Sequence, residues 1–493
     1  MKNILIAIRS IFKKGRHNVM KIVSLGIGLA VGLVLIAKVY FEQSYDDFYP
    51  DRDRVYQVWA KYQQNGGELK DYPQTSGGIA PTMQQQIPEI ETVTRYTSFG
   101  DWTFTMTDTK MKYSGRCIIA DSCFFDILPR PMLIGNAKEV LSTPMYVLIS
   151  SRIAKNIGGD VIGKNFTVDN SPGRTMTIGG VFEEVPENSH SRYDVIVSMA
   201  SAGRFMWEGS PTNMLGNDRY ISYVKLHKGV NPLALEEQVR TFVNSYFPPE
   251  EQQKVGLSID FSFHKLDNLH KELPQVKRMT WILSLLAFAL IFTAVMNYIL
   301  IVISSIVNRS KEVAVHKCYG ASENNIHGMM FGEALVHIVL SLILALLLIL
   351  AFRGTVEELL ATSLDSLLLS NGSLVLLGIC ILVFFVSGFM PGSLYARIPV
   401  ASAFRNYREN KRIWKKALLL VQFVATGFLV TMLVFVARQY TFMVNDRPGY
   451  AYENLAYCGL AGVDSTSRAK ILDEVMRLPG VAAATTVYQL PFE

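Results

Sequence analysis

The chain has 493 residues, of which 49% are hydrophobic and only 18% charged, below the rough quarter usual in soluble domains. With a mean hydropathy of +0.21 and the charge deficit confined to a few segments, the composition excludes most soluble enzymes and describes a membrane protein with soluble parts. The net charge of +6 gathers beside the apolar segments, so it reads as topology and not as a nucleic-acid footprint. Five cysteines are too few for a disulfide framework; Cys117 and Cys123 are close enough to pair, but nothing demands it.

Residues 1–21 are a basic N-terminus, with Lys2, Arg9, Lys13, Lys14, Arg16 and Lys21 and no acid. Residues 22–40 are apolar and approach the roughly 20 residues that cross a hydrocarbon core as a helix. A basic start and an apolar run would also suit a cleaved signal peptide. The run is too long for one, however, no A-x-A-like site follows, and Lys38, Tyr40 and Phe41 mark an interface. The segment is therefore expected to stay as an anchor.

Residues 42–278 are long enough for one large or two modest domains. Arg54 to Lys61, Thr103 to Met106, Tyr146 to Ser150, Phe166 to Asp169, Thr175 to Phe182 and Tyr220 to Leu226 read as strands. Pro81 to Gln86 and Leu233 to Tyr246 read as helices, the second with Pro232 at its start. This mixture predicts an α+β domain of two subdomains, inserted between two spans and able to pass motion between them.

Gly158 to Asn165 reads GGDVIGKN, close to a phosphate-binding loop. Asn165 stands where Ser or Thr would hold magnesium, and strand-like residues follow where a helix N-terminus is needed. A glycine-rich turn before a strand is the better reading. His190, His264 and His270 lack metal-ligand spacing, and there is no G-x-S-x-G. The acidic pairs Glu183–Glu184 and Asp46–Asp47 read as solvated surface. No catalytic residue, cofactor site or metal site is expected.

Four more spans are expected at 279–303, 334–352, 374–395 and 417–437. Asn297 and Thr293 in the second read as makers of interhelical hydrogen bonds. The linker at 397–416 carries Arg397, Arg405, Arg408, Lys411, Arg412, Lys415 and Lys416 against the single acid Glu409. Arg309, Lys311 and Lys317 follow the second span, while Arg353 after the third is offset by Glu357, Glu358 and Asp365. These charges predict a cytoplasmic N-terminus, 42–278 outside, and the chain outside again over 438–493.

Residues 308–328 form an inside elbow. A short charged helix is expected to end at Gly320, a C-cap signal, and Ser322 is placed to cap the helix that becomes the third span. Glu312 and His316 share one face at i,i+4. Such a helix suits a lever for a cytosolic partner; a plain basic loop is the alternative.

The elbow resembles the coupling element of the MacB/FtsX family of ABC-transporter permeases, through Arg309, Glu312, Lys317, Gly320, Ala321 and Glu333. The rest of the chain follows the family in order. Ser44 to Phe48, Arg54 to Tyr56, Ala80–Pro81 and Ile87 to Glu91 come first. Ala120–Asp121, Phe124–Phe125, Ser150, Ala154, Gly163–Lys164, Gly180–Val181, Pro186, Asn188 to His190 and Asp194 follow. Leu269–His270 and Gly388 to Arg397 with Pro391 complete the series.

The resemblance implies an α-helical transmembrane protein with an inserted extracytoplasmic α+β domain and about five spans in this chain, in a bacterial inner membrane. It implies a separate cytosolic ABC ATPase docking on the six elbow residues, and membrane lipid around the spans. It leaves open a homodimer or second permease unit, and a periplasmic adaptor. The role it implies is mechanotransmission, driving efflux or extraction of a peptide, antibiotic or lipoprotein. An FtsX-like regulator of a cell-wall hydrolase or sensor is the alternative, and a membrane-bound enzyme is disfavoured because no site can be assembled.

A repeat supports the double-unit form of this family. Ala7, Arg9 and Arg16 match Ala403, Arg405 and Arg412, and Ile87 to Ile90 match Leu478 to Val481. Residues 438–493 then look like the start of a second outside domain, so a fragment of a longer permease is expected, with a short natural protein as the alternative.

Overall fold

The structure is a computed structural model and describes residues 17–168, 171–369, 372–396, 399–400, 413–445, 454–460, 463 and 465–487. Most of the basic N-terminus, most of the basic linker and the matched residues of the first repeat lie outside the described residues. The chain divides into two units. One joins Met1–Tyr45 to His270–Arg447, and the other joins Asp46–Leu269 to Pro448–Glu493.

The first unit is helical: α1 (Asn18–Gln43), α2 (Pro274–Ser304), α3 (Ile306–Cys318), α4 (Glu323–Ala351), α5 (Arg353–Leu360), α6 (Leu364–Leu368), α7 (Ser373–Ala396) and α8 (Ile413–Asn445). Helices α1, α2, α4, α7 and α8 are long and apolar enough to cross a membrane. They outrun the apolar stretches that announce them. Hydropathy marks the crossing segment, whereas the helix continues to its capping signal, as α4 does to Ser322.

Small residues set the packing of α1. A side chain at Gly28 would overlap Ala294 of α2, and one at Gly32 would overlap Ile291. Gly26, on another face, lies against Leu344 of α4. Apolar helices in lipid associate through such close backbone approach, and Gly28-x-x-x-Gly32 is the sequence signal for it. Around the seam Leu25, Leu29, Leu33, Ile299, Val302, Ile303, Ile338 and Ala345 form one buried cluster. Tyr298 of α2 meets His337 of α4, hydroxyl to Nδ1, at 3.1 Å. By contrast, α8 buries none of its described residues.

The second unit holds one mixed sheet. Its strands are β1 (Val55–Gln64), β2 (Lys70–Tyr72), β3 (Ile90–Met106), β4 (Lys112–Ala120), β5 (Met132–Ile134), β6 (Tyr146–Ser150), β7 (Asn165–Val168), β8 (Ser171–Phe182), β9 (Val195–Ser198), β10 (Ile221–Leu226) and β11 (Leu257–Lys265). The order is β11-β1-β10-β3-β4-β9-β6-β8-β5, with β2 on β1 and β7 between β3 and β8. The β4–β9 and β6–β8 pairs are parallel. Three buried clusters line it, around Val58, Met83, Phe242 and Phe261, around Phe104, Phe166, Met176 and Ile178, and around Tyr96, Phe124, Phe182 and Tyr223.

The sheet runs unbroken past all three because β3 contributes to each. Only Thr103 to Met106 of β3 was legible, since Gly100–Asp101 looks like a turn. The structure absorbs it as a bulge between Ser98 and Gly100, with Gly100 at φ +73°.

The near phosphate-loop is a turn. Gly158, Gly159 and Gly163 all have positive φ, and strand β7 follows. Cys117 and Cys123 are free thiols. The expectation for Asp46 is overturned: it is fully buried, not solvated. Its φ of +59° turns it away from its neighbour. It accepts from Ser189 Oγ at 2.8 Å and faces His190 Nδ1 at 2.6 Å, while His190 Nε2 meets the buried Tyr223 hydroxyl. A buried carboxylate needs such partners. Asp47 stays partly exposed and pairs with Arg52.

Candidate functional site: the elbow between α2 and α4

The elbow is built by two local signals. Ser305 separates α2 from α3; its Oγ donates back to Val302 O at 2.6 Å and lies 3.0 Å from the Tyr395 hydroxyl of α7. At the other end Gly320 adopts φ +88°. Its N–H donates to Lys317 O at 3.0 Å, and Ala321 N–H donates to His316 O at 3.0 Å. That pair of bonds is the Schellman closure, which favours glycine at the left-handed position. Ser322 then accepts from Asn325 N–H through its side chain and starts α4.

Between these ends α3 has two faces. Arg309, Ser310, Val313 and Ala314 are buried. Lys311, Val315, His316, Cys318 and Tyr319 are exposed, Tyr319 to 89%. Val315 and Tyr319 stand one turn apart and give the outward face an apolar centre.

The buried face holds an ion cluster. Glu333, well inside α4, places Oε2 2.8 Å from Arg309 Nη1 and Oε1 3.5 Å from Lys21 Nζ of α1. Arg309 Nε also lies 3.3 Å from Glu312 Oε2, and its guanidinium sits over the Tyr395 ring at 5.5 Å. Burial opposes the charge of Arg309, yet Glu333, Tyr395 and Glu312 hold its pKa above the usual guanidinium range. Lys317 Nζ donates to Ala396 O at the end of α7, at 2.6 Å.

The six expected residues therefore divide. Arg309 and Glu333 come together inside the helices. Glu312 sits at the edge of that pair, Lys317 ties α3 to α7, and Gly320 and Ala321 make the turn. Lys21, Tyr395, Val315 and Tyr319 were missed. The i,i+4 spacing of Val315 and Tyr319 could have revealed the outward face. Lys21 had no such signal, because a linear reading does not separate an inward lysine from one at the lipid surface. Among the described residues, no three His, Cys, Asp or Glu side chains are grouped to hold a metal.

Comparison with known proteins follows these two units. The MacB-like periplasmic core domain matches residues 20–242, and the FtsX-like permease C-terminal matches residues 284–400, which include the elbow. Among solved structures, the chain is similar to a domain assigned to a permease from Porphyromonas gingivalis, at 33% identity over 44% of this chain and 91% of that one, with a TM-score of 0.41. It is similar to the periplasmic region of MacB from Actinobacillus actinomycetemcomitans, at 15% identity over 44% and 91%, with a TM-score of 0.30. It is also similar to the extracellular domain of the noncanonic ABC-type transporter YknZ from Gram-positive bacteria, at 10% identity over 42% and 98%, with a TM-score of 0.31. No curated protein matches the chain.

Proposed function

We infer the role of this chain from the family to which it belongs, the MacB/FtsX permeases of ABC transporters: it is the membrane subunit that converts ATP hydrolysis by a separate cytosolic ATPase into movement of a domain outside the membrane. The N-terminus and the elbow lie on the cytoplasmic side of a bacterial inner membrane, and the inserted domain lies on the other. The observation that carries this reading is the division of α3. Its outward face offers Lys311, Val315 and Tyr319 to a partner, while its inward face is fixed to three other helices through Arg309, Glu333 and Lys317. A lever needs both a free face and a fixed one.

The cargo class is an amphiphile or peptide acted on outside the membrane, as the family implies. The spans need not enclose it: among the described residues the buried charges of the helical unit, Lys21, Arg309 and Glu333 on one side and Lys38 and Glu42 on the other, lie toward the helix ends. The docking surface is the outward face, with Glu312 at its edge; Arg309 and Glu333 serve it from behind.

The test is purification of the full chain from its native cells in mild detergent, with mass spectrometry of the proteins that accompany it. A stoichiometric soluble protein carrying a phosphate-binding loop is expected. Its absence at every nucleotide condition would overturn the reading and leave α3 a basic surface helix without that partner. A cell-wall hydrolase as a companion, stimulated without movement of any cargo, would transfer the chain to the regulator class.

A further inference from the structure

We propose that Lys21 is the joint through which movement of the elbow reaches the first span, with Glu333 as the shared counter-charge. The proposal rests on the permease reading and assigns a residue that the elbow itself does not contain.

A lysine at the start of a span ordinarily extends its ammonium into water beside the membrane. Lys21 does not. Its residue is 0% exposed, while Val19 and Met20 beside it are 74% and 64% exposed. Its ammonium is turned into the bundle, 3.2 Å from Asn18 Oδ1 and 3.5 Å from Glu333 Oε1. The second oxygen of the same carboxylate holds Arg309 of α3. One buried carboxylate thus joins a cation on the elbow to a cation on the first span.

The arrangement transmits displacement because its parts cannot separate cheaply. Buried charges drawn from their partners face low dielectric without compensation, so Arg309, Glu333 and Lys21 move as a group. A second bond sits beside the joint: Ser341 of α4 donates to Ile22 O at 3.1 Å. At the far end of α1, Glu42 holds Lys38 at 2.7 Å and His270 at 2.6 Å. Helix α1 is therefore a rod gripped at both ends. The chain runs from its far end directly into the inserted domain.

The test uses the full chain with its co-purified ATPase in lipid nanodiscs. Hydrogen–deuterium exchange is followed by mass spectrometry, with and without ATP and vanadate. Wild type is expected to change exchange at two places, the elbow and residues 40–50. Lys21→Met keeps the side-chain volume and leaves Glu333 paired with Arg309. It should retain the ATPase and the response of the elbow but lose most of the response at 40–50. Lys21→Arg should restore it.

A full response at 40–50 in Lys21→Met overturns the joint and leaves the permease reading intact. So does loss of the elbow response, or failure of Lys21→Arg to rescue, since either makes Lys21 a structural residue only. A wild type without an ATPase or without an elbow response overturns the permease reading, and the joint with it.

Discussion

His270 and Glu42 meet side chain to side chain, Nε2 to Oε2 at 2.6 Å, and the imidazole stacks on Tyr45 with ring centroids 3.4 Å apart. Glu42 ends α1 and is 5% exposed; His270 precedes α2. The contact therefore closes the two helices that lead into and out of the inserted domain. His270→Ala should destabilise the helical unit by about 1.5–3 kcal/mol, the range for a hydrogen bond to a charged group. Lys38 still holds Glu42, which places the expected loss toward the lower figure. Thermal unfolding of the detergent-purified chain measures it, and His270→Gln should lose less if its amide reaches the same oxygen.

The glycine seam predicts a contrast between two positions of one residue type. Gly28→Leu places a side chain into Ala294 and should destabilise the chain by at least the 1–3 kcal/mol typical of overpacking. Gly378, on α7, has open space where its side chain would be. Gly378→Ala should be neutral or slightly stabilising through helix propensity. Yield and melting temperature of the two variants, purified side by side, decide the matter. Equal behaviour would mean that α1 and α2 do not approach as closely as described.

Docking of the ATPase should depend on Tyr319 more than on the charges first suggested by the motif. Exposed by 89%, Tyr319 has little to lose in the isolated chain. Tyr319→Asp should leave membrane insertion unchanged and reduce co-purified ATPase at least about tenfold, the loss of a typical interface anchor. The exchange Glu312→Lys with Lys317→Glu is a less clean test. It also removes the Lys317 bond to Ala396 and places a cation beside Arg309. Pull-down of the ATPase at matched permease levels separates the two.

The inserted domain carries a pH-dependent contact at Asp51. Lys225 Nζ lies 2.6 Å from its carboxylate and Arg54 Nε 3.1 Å. Hydrogen bonds from Lys225 and then Arg54 hold its pKa below the usual carboxylate range. A carboxylate lowered in the folded state stabilises the fold above its unfolded pKa and loses that contribution as pH falls through its folded value. Asp51→Asn should therefore cost a few tenths to about 1 kcal/mol at neutral pH, as for partly exposed pairs. The difference from wild type should hold down to the ordinary carboxylate range and vanish below it. Melting curves across that range check both the sign and the window.

Much of this architecture was legible because the signals are local. Five apolar stretches appear within five long helices, and β6 occupies Tyr146–Ser150 as expected. Gly320 and Ser322 act as the capping residues that their types suggest. What escaped depends on partners distant in the chain. Asp46 looked solvated because the partners of its carboxylate, Ser189 and His190, stand 143 and 144 residues further along the chain. Strand β3 looked shorter because a bulge and a turn share the residues Gly and Asp. Lys21 and Glu333 are separated by most of the chain, and no spacing rule connects them. At the elbow the motif marks a segment but not which of its side chains face outward, which only the packing of α3 against α4 and α7 determines.

The Gly28–Ala294 seam also limits how the two helices that flank the inserted domain move past each other. The domain's two ends continue from α1 and into α2, and those helices are pressed together without an intervening side-chain layer. Ala294 fills the gap that Gly28 leaves, and Ile291 the one at Gly32. Sliding one helix along the other would lift both side chains out of these gaps and onto bulkier neighbours, so the two helices shift as one piece.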